Sequence, residues 1–173
     1  IPSVVFRMIC IYGPLHFVTV DQVAALALFL CREEAGSITI SGDPQFAIAD
    51  PQRVRQILRN LLTNAIRYGG NRVHVEYAEG DEGVVLTVRD DGSEIPPAER
   101  ERIFLPYFSA HDPGSLPSSV GLGLTVSRQL ADMMGGRLAY SFDDGWSVFT
   151  LELPSATLLE PGEAEPAGVA VST

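Results

Sequence analysis

Asp50-Pro51-Gln52-Arg53-Val54-Arg55-Gln56-Ile57-Leu58-Arg59-Asn60-Leu61-Leu62-Thr63-Asn64-Ala65-Ile66-Arg67-Tyr68, closed by Gly69-Gly70, is the stretch on which the fold turns. Asp50 ahead of Pro51 is an N-cap followed by a first-turn proline, and the paired glycines supply a stop. Val54, Ile57, Leu58, Leu61, Leu62, Ala65 and Ile66 recur at helical spacing and predict one buried stripe. At about 100° per residue, Arg53, Gln56, Asn60, Asn64 and Arg67 fall within roughly 80° of one another beside it. Asn is a poor residue for a helix interior, so two of them one turn apart ask for a reason. An amide oxygen can bind a cation without adding charge, and Arg67 offers donors to a phosphate. An ordinary solvated helix face fits this helix equally well when it is taken alone.

Working outward, Thr19 with Gln22 forms a capping box that opens a helix over 20–35, stopped by Gly36. Short extended runs at 37–41 and 46–49, with Gly42, Asp43 and Pro44 between them, predict a small hairpin. Strands at 72–78 and 84–89 read as an antiparallel pair, and a short helix is expected over 97–104. Residues 109–120, rich in Pro, Gly and Ser, read as a mobile loop. A third long helix over 122–134 precedes strands at 137–141 and 146–153. From Ser155 onward the chain is small, acidic or Pro, and disorder is expected. Hairpins with three substantial helices between them predict an α+β fold, a two-layer sandwich in which a mixed, mostly antiparallel sheet carries the helices on one face.

The length of 173 residues suits one compact domain, expected at 15–154 between an N-terminal segment, 1–14, and a tail, 155–173. The chain starts at Ile1 and not at Met, so neighbouring sequence is expected. A net charge of -10 argues against a nucleic-acid partner, which would ask for a basic stripe. All 12 basic residues are Arg, which excludes the P-loop and the eukaryotic-type protein kinases, since both depend on a Lys. Cys10 and Cys31 match no metal or disulfide pattern and read as plain thiols in a reducing compartment. No apolar run reaches the ~20 residues of a membrane helix, and no direct membrane contact is expected.

Three further pieces follow the Asn-bearing helix. Asp90-Asp91-Gly92-Ser93-Glu94-Ile95 comes directly after a strand, Ile103-Phe104-Leu105-Pro106-Tyr107-Phe108 precedes the loop, and Gly121-Leu122-Gly123-Leu124 opens the next helix. Glycines at a helix start let backbone N–H groups reach a phosphate at the positive end of the dipole. Each piece alone also reads as a plain turn, core or helix start. Taken in order, Leu61-Leu62-x-Asn64-Ala65-Ile66-Arg67-Tyr68, Asp90-x-Gly92, Phe104-x-Pro106-Tyr107-Phe108 and Gly121-Leu122-Gly123-Leu124 resemble the N, first glycine, F and second glycine boxes of histidine kinases. The likeness covers residues 15–154.

The resemblance implies the left-handed α/β nucleotide-binding (Bergerat) fold shared with gyrase, with ATP beneath the loop. It implies that Asn64 holds Mg²⁺ and that Asn60 supports it. Arg67 would touch phosphate, and Tyr68 would line the pocket. Asp90 would accept a hydrogen bond from the adenine amino group while Gly92 admits the base. Ile95 would complete the base site, and Gly121, Leu122, Gly123 and Leu124 would cradle the phosphates. It implies a cytoplasmic domain of a sensor kinase, whose parent protein can be membrane-anchored. The γ-phosphoryl would go to a histidine on a dimerisation and phosphoacceptor domain, in cis or in trans, and indirectly to a response regulator. Gyrase-like relatives carry a water-activating Glu where this chain has Asn60, which is no general base, so transfer is expected over hydrolysis.

The pattern also departs from the family. His16, His74 and His111 each read as ordinary, so the acceptor histidine is expected outside these residues. Glu94 stands where the second glycine of its box belongs, either repelling phosphate or facing solvent. Ser119 replaces another glycine, and residues 109–120 hold neither Arg nor Lys. Two alternatives stay open: an anti-sigma-type serine kinase, and a degenerate nucleotide-binding or interaction module without phosphotransfer.

Overall fold

The structure, a computed structural model, describes residues 10–12, 37–42, 46–81, 83–108 and 121–155. Its central element is helix α1, Pro51–Tyr68. Asp50 caps it as predicted, accepting from the N–H groups of Gln52 at 2.8 Å and Arg53 at 3.3 Å. Val54, Ile57, Leu58, Leu61, Leu62 and Ala65 are buried, and the stripe ends there because Ile66 is only partly covered.

This stripe lies on a five-stranded sheet in the order β2-β4-β5-β7-β6, formed by β2 (Ser37–Gly42), β4 (Arg72–Glu79), β5 (Gly83–Asp90), β6 (Arg137–Asp143) and β7 (Trp146–Pro154). The β4–β5, β5–β7 and β7–β6 pairs are antiparallel and the β2–β4 pair is parallel. Strand parity builds the core: Val73, Val75 and Tyr77 on β4, Val84, Leu86 and Val88 on β5, and Leu151 and Leu153 on β7 are buried at every second position. Helix α2, Gly123–Met133, packs beside α1, with the small residues Ser127 and Ala131 fully covered.

The two-layer, mostly antiparallel α+β architecture is as expected, with two corrections. Residues 37–42 and 46–48 do not pair as a hairpin. β2 runs parallel to β4, whereas β3 (Phe46–Ile48) runs parallel to β1 (Cys10–Tyr12) in a separate two-stranded sheet. The predicted helix at 97–104 is reduced to turns and one 3₁₀ stretch, Arg102–Phe104. Glu99 N–H closes on the Pro96 carbonyl at 2.8 Å and Leu105 N–H on the Arg102 carbonyl at 2.9 Å, the tighter i to i+3 pattern of turns and 3₁₀ structure. The helix expected over 20–35, the loop at 109–120, Cys31, His16, His111 and the tail beyond Ser155 lie outside the described residues. Among the described residues no helix is long and apolar enough to cross a membrane.

Because the Asp50 carboxylate serves two otherwise unpaired N–H groups, Asp50→Ala is expected to cost about 1 kcal/mol. Urea unfolding would show it as a lower midpoint at unchanged slope.

Candidate functional site

Where the C-terminal half of α1 meets the ends of β5 and β7 and the start of α2, the layers part around a cavity of about 360 Å³. Parity puts Asp90 there: it ends the inward series Val84, Leu86, Val88 on β5 and is only 5% exposed. Burial drives its carboxyl up from 3.8 to about 6, opposed by the Gly92 N–H, which donates to Oδ1 at 3.0 Å, and assisted weakly by the charge of Asp91. Gly92 itself does not line the cavity but makes this corner possible. A Cβ on it would lie 2.7 Å from both the Asp90 carboxylate and the Gly69 Cα.

From α1, the predicted Asn60, Asn64, Arg67 and Tyr68 all line the cavity, joined by Thr63. Asn60, expected to support a metal ligand, makes contacts that the sequence reading did not include. Its Nδ2 donates to the Gly123 carbonyl at 3.1 Å and to the Ser127 hydroxyl at 3.0 Å, so it ties α1 to the first turn of α2. With both amide hydrogens committed, only its carbonyl oxygen remains for a ligand.

The start of α2 contributes Gly121, Gly123 and Leu124, whereas Leu122 turns outward and does not line the cavity. No side chain caps this helix, which leaves its first-turn N–H groups to an anion. Gly121 has φ 68 and its carbonyl accepts from Tyr107 N–H at 3.0 Å, so the chain on either side of 109–120 is clasped at its base. Next to that clasp, Arg102 lies over the Phe108 ring at 4.6 Å and Arg128 over Phe104 at 4.4 Å.

Sequence reasoning did not reach the residues that hold the 91–95 segment. The Ser147 hydroxyl donates to the Ser93 carbonyl at 3.4 Å and bonds the Tyr140 hydroxyl at 3.2 Å. Tyr140 in turn accepts from Ile95 N–H at 3.1 Å. Ser147 faces Asp90 across the β5–β7 ladder, so only the strand pairing could have revealed it. Glu94 is exposed and does not stand alone: Arg100 forms an ion pair with it and donates from Nε to the Ile95 carbonyl. Among the described lining residues Arg67 is the only cationic side chain.

The donor set suits a nucleotide with its cation. Among the described residues there is no cluster of three or more His, Cys, Asp or Glu. A hard cation held here could draw on the neutral amide oxygens of Asn60 and Asn64, with phosphate and water oxygens in its other positions.

The family described as histidine kinase-, DNA gyrase B- and HSP90-like ATPase matches residues 49–157. The chain belongs to that family. It is similar to the aerobic respiration control sensor protein ArcB of Escherichia coli, with 38% identity over 123 residues, covering 68% of this chain and 16% of that protein. The chain thus spans about one sixth of that relative. Among solved structures it resembles the mycobacterial sensor histidine kinase MprB, at TM-score 0.67 and 25% identity, covering 79% of this chain and 95% of the other. Full-length ShkA in complex with AMPPNP matches at TM-score 0.66 and 29% identity, covering 82% of this chain and 30% of the other.

Since burial favours the protonated Asp90, its contribution to folding is complete below the unfolded carboxyl value and is lost as the pH rises through about 6. Asp90→Asn keeps the acceptor for Gly92 and removes the buried charge. It is expected to stabilise the ligand-free protein by on the order of 1–2 kcal/mol at about pH 7.5, with the gap narrowing towards about pH 5. Urea titrations of both proteins at the two pH values measure this.

Proposed function

We propose that this chain is the ATP-binding catalytic unit of a two-component sensor histidine kinase. It passes the γ-phosphoryl group of ATP to a histidine on a dimerisation and phosphoacceptor domain, in the same protein or in another chain, from which a response regulator is served. Residues 15–154 act as the nucleotide-binding domain, on the cytoplasmic side, with 155–173 as an acidic tail. The observation that carries this reading is the convergence of Asp90, the Asn60, Asn64 and Arg67 ribbon, and the start of α2 around one cavity. The AMPPNP complex of the related ShkA supports it.

In this reading Asp90 accepts a hydrogen bond from the adenine amino group, with Gly92 admitting the base and Tyr68 and Ile95 flanking it. Asn64 holds Mg²⁺, which when bound neutralises phosphate charge. Arg67 supplies the cationic contact to the phosphates, and the N–H groups at Gly121 to Leu124 receive their oxygens. No group within the ribbon is a general base for water, and Asn60 has both amide hydrogens spent on α2. Catalysis then rests on positioning and charge neutralisation, and the outcome is transfer to a delivered histidine in preference to hydrolysis.

Calorimetry with AMPPNP and Mg²⁺ is expected to give saturable one-to-one binding. Asn64→Ala is expected to weaken it by about tenfold or more, with the remainder insensitive to Mg²⁺. Labelled γ-phosphate is expected on the histidine of a phosphoacceptor domain added in trans. Absence of AMPPNP binding, or label on serine in place of histidine, would overturn the reading.

A second test concerns the charge at the cavity mouth. Arg100→Ala unmasks Glu94 beside the nucleotide and is expected to weaken AMPPNP binding about five- to tenfold. Combining it with Glu94→Gly is expected to restore most of the loss, a coupling that a double-mutant cycle reads directly.

A further inference from the structure

Behind the cavity, at the ends of β4 and β5, Asp91 is held from three sides. Its Oδ1 accepts from Arg72 N–H at 2.8 Å, its Oδ2 accepts from Arg72 Nε at 2.9 Å, and its own N–H donates to the Arg72 carbonyl at 3.3 Å. These bonds close the two strands on each other one step beyond their last ladder pair, Val73 with Asp90. The Arg72 guanidinium also lies over the Trp146 ring, 4.8 Å from its centroid. Trp146 opens β7 directly before Ser147, the ladder partner of Asp90, and meets the edge of His74 at 4.8 Å. Arg72 therefore links the three strands that carry or face Asp90, although neither Arg72 nor Asp91 lines the cavity.

We propose that Arg72, through its two-point grip on Asp91 and its stack on Trp146, is a positioning residue that sets the base-recognition corner of the site. The proposal rests on the nucleotide reading above. Asp91 is bonded to Asp90 through one peptide, so fixing the Asp91 backbone fixes the direction from which Asp90 enters the cavity. The grip also keeps the Asp91 charge compensated. Arg72 holds that carboxyl below its usual range, and without Arg72 a second uncompensated carboxylate would stand beside a buried one. At the phosphate end, α1 is tied to α2 through Asn60, Gly123 and Ser127, on elements other than those that Arg72 links. The consequence is selective: loss of the grip impairs recognition of adenine and spares that of the phosphates. Arginine suits the task because its Nε reaches one carboxylate oxygen while its planar face stacks on indole, a pairing that the point charge of a lysine does not reproduce.

The experiment compares Mg²⁺-AMPPNP with Mg²⁺-tripolyphosphate, which has no base, by calorimetry on the intact chain. The wild-type chain is expected to bind AMPPNP; if it does not, the nucleotide reading falls first. Arg72→Ala is expected to weaken AMPPNP binding at least about tenfold and tripolyphosphate by less than about twofold, and Arg72→Lys to recover little. Trp146 is the sole tryptophan of the chain, so its emission reports the same corner. The change on adding AMPPNP to the wild type is expected to be absent in Arg72→Ala. Should that variant fail to fold, Asp91→Asn, which keeps the acceptor for Arg72 N–H but replaces the acceptor for Arg72 Nε by an amide donor, is expected to give the same selective loss. Equal losses for the two ligands, or none for either, would overturn the proposal.

Discussion

Asp90 occupies an inward position of β5, the place where the alternation of that strand would put the next apolar side chain. A carboxylate taken out of water costs several kcal/mol unless its oxygens find donors, and here the protein donates one N–H, from Gly92. Much of the surrounding structure follows from keeping that group in place. The end of α1 comes so close that a side chain at Gly69 would strike the Asp90 carboxylate, and a side chain at Gly92 would strike both Asp90 and Gly69. The carboxylate lines the cavity, where a donor from a ligand can reach it. On the proposed reading that donor is the adenine amino group.

A corner of this kind works only if the segment after β5 holds still, and four of its residues from 91 to 95 are tied to other parts of the chain. Asp91 goes to β4 through Arg72, Ser93 to β7 through Ser147, Ile95 to β6 through Tyr140, and Glu94 with the Ile95 carbonyl to Arg100. These ties explain how the segment accepts Glu94 in the position of a family glycine. The side chain is drawn along the rim by a cation six residues on, and the backbone on either side of it is bonded from other strands. Order in the site comes from the sheet beneath it more than from the motif itself.

What could be read from sequence divides along the same line. The cap, the proline, the apolar stripe and the double glycine of α1 are local signals, and the helix formed where they placed it. The β4–β5 and β6–β7 pairs were legible because a few turn residues join their strands. The parallel pairing of β2 with β4 was not, since it depends on a partner 35 positions along the chain, Ser37 with Arg72. Asp90, Asn64, Arg67 and Gly121, which the structure brings to one cavity, were legible as candidates because their polar groups or glycine backbone stand out in the sequence itself. Ser147, Tyr140 and Arg100 carry nothing distinctive in sequence and act only once strand order brings them under the segment. The contacts of Asn60 with α2 were not legible, because helical phase shows which way a side chain faces and not what lies opposite.

That partner decides the chemistry at position 60. The Asn60 amide meets the Gly123 carbonyl and the Ser127 hydroxyl, and the carbonyl can only accept. A carboxylate in its place would set an anion against that oxygen, lose the donated bonds, and loosen α2 from α1. The packing of the two helices in this chain therefore favours an amide over an acid at position 60. On the proposed reading, the side chain that fastens the phosphate cradle also leaves water without a general base, and a γ-phosphoryl group there would wait for a nucleophile delivered from outside.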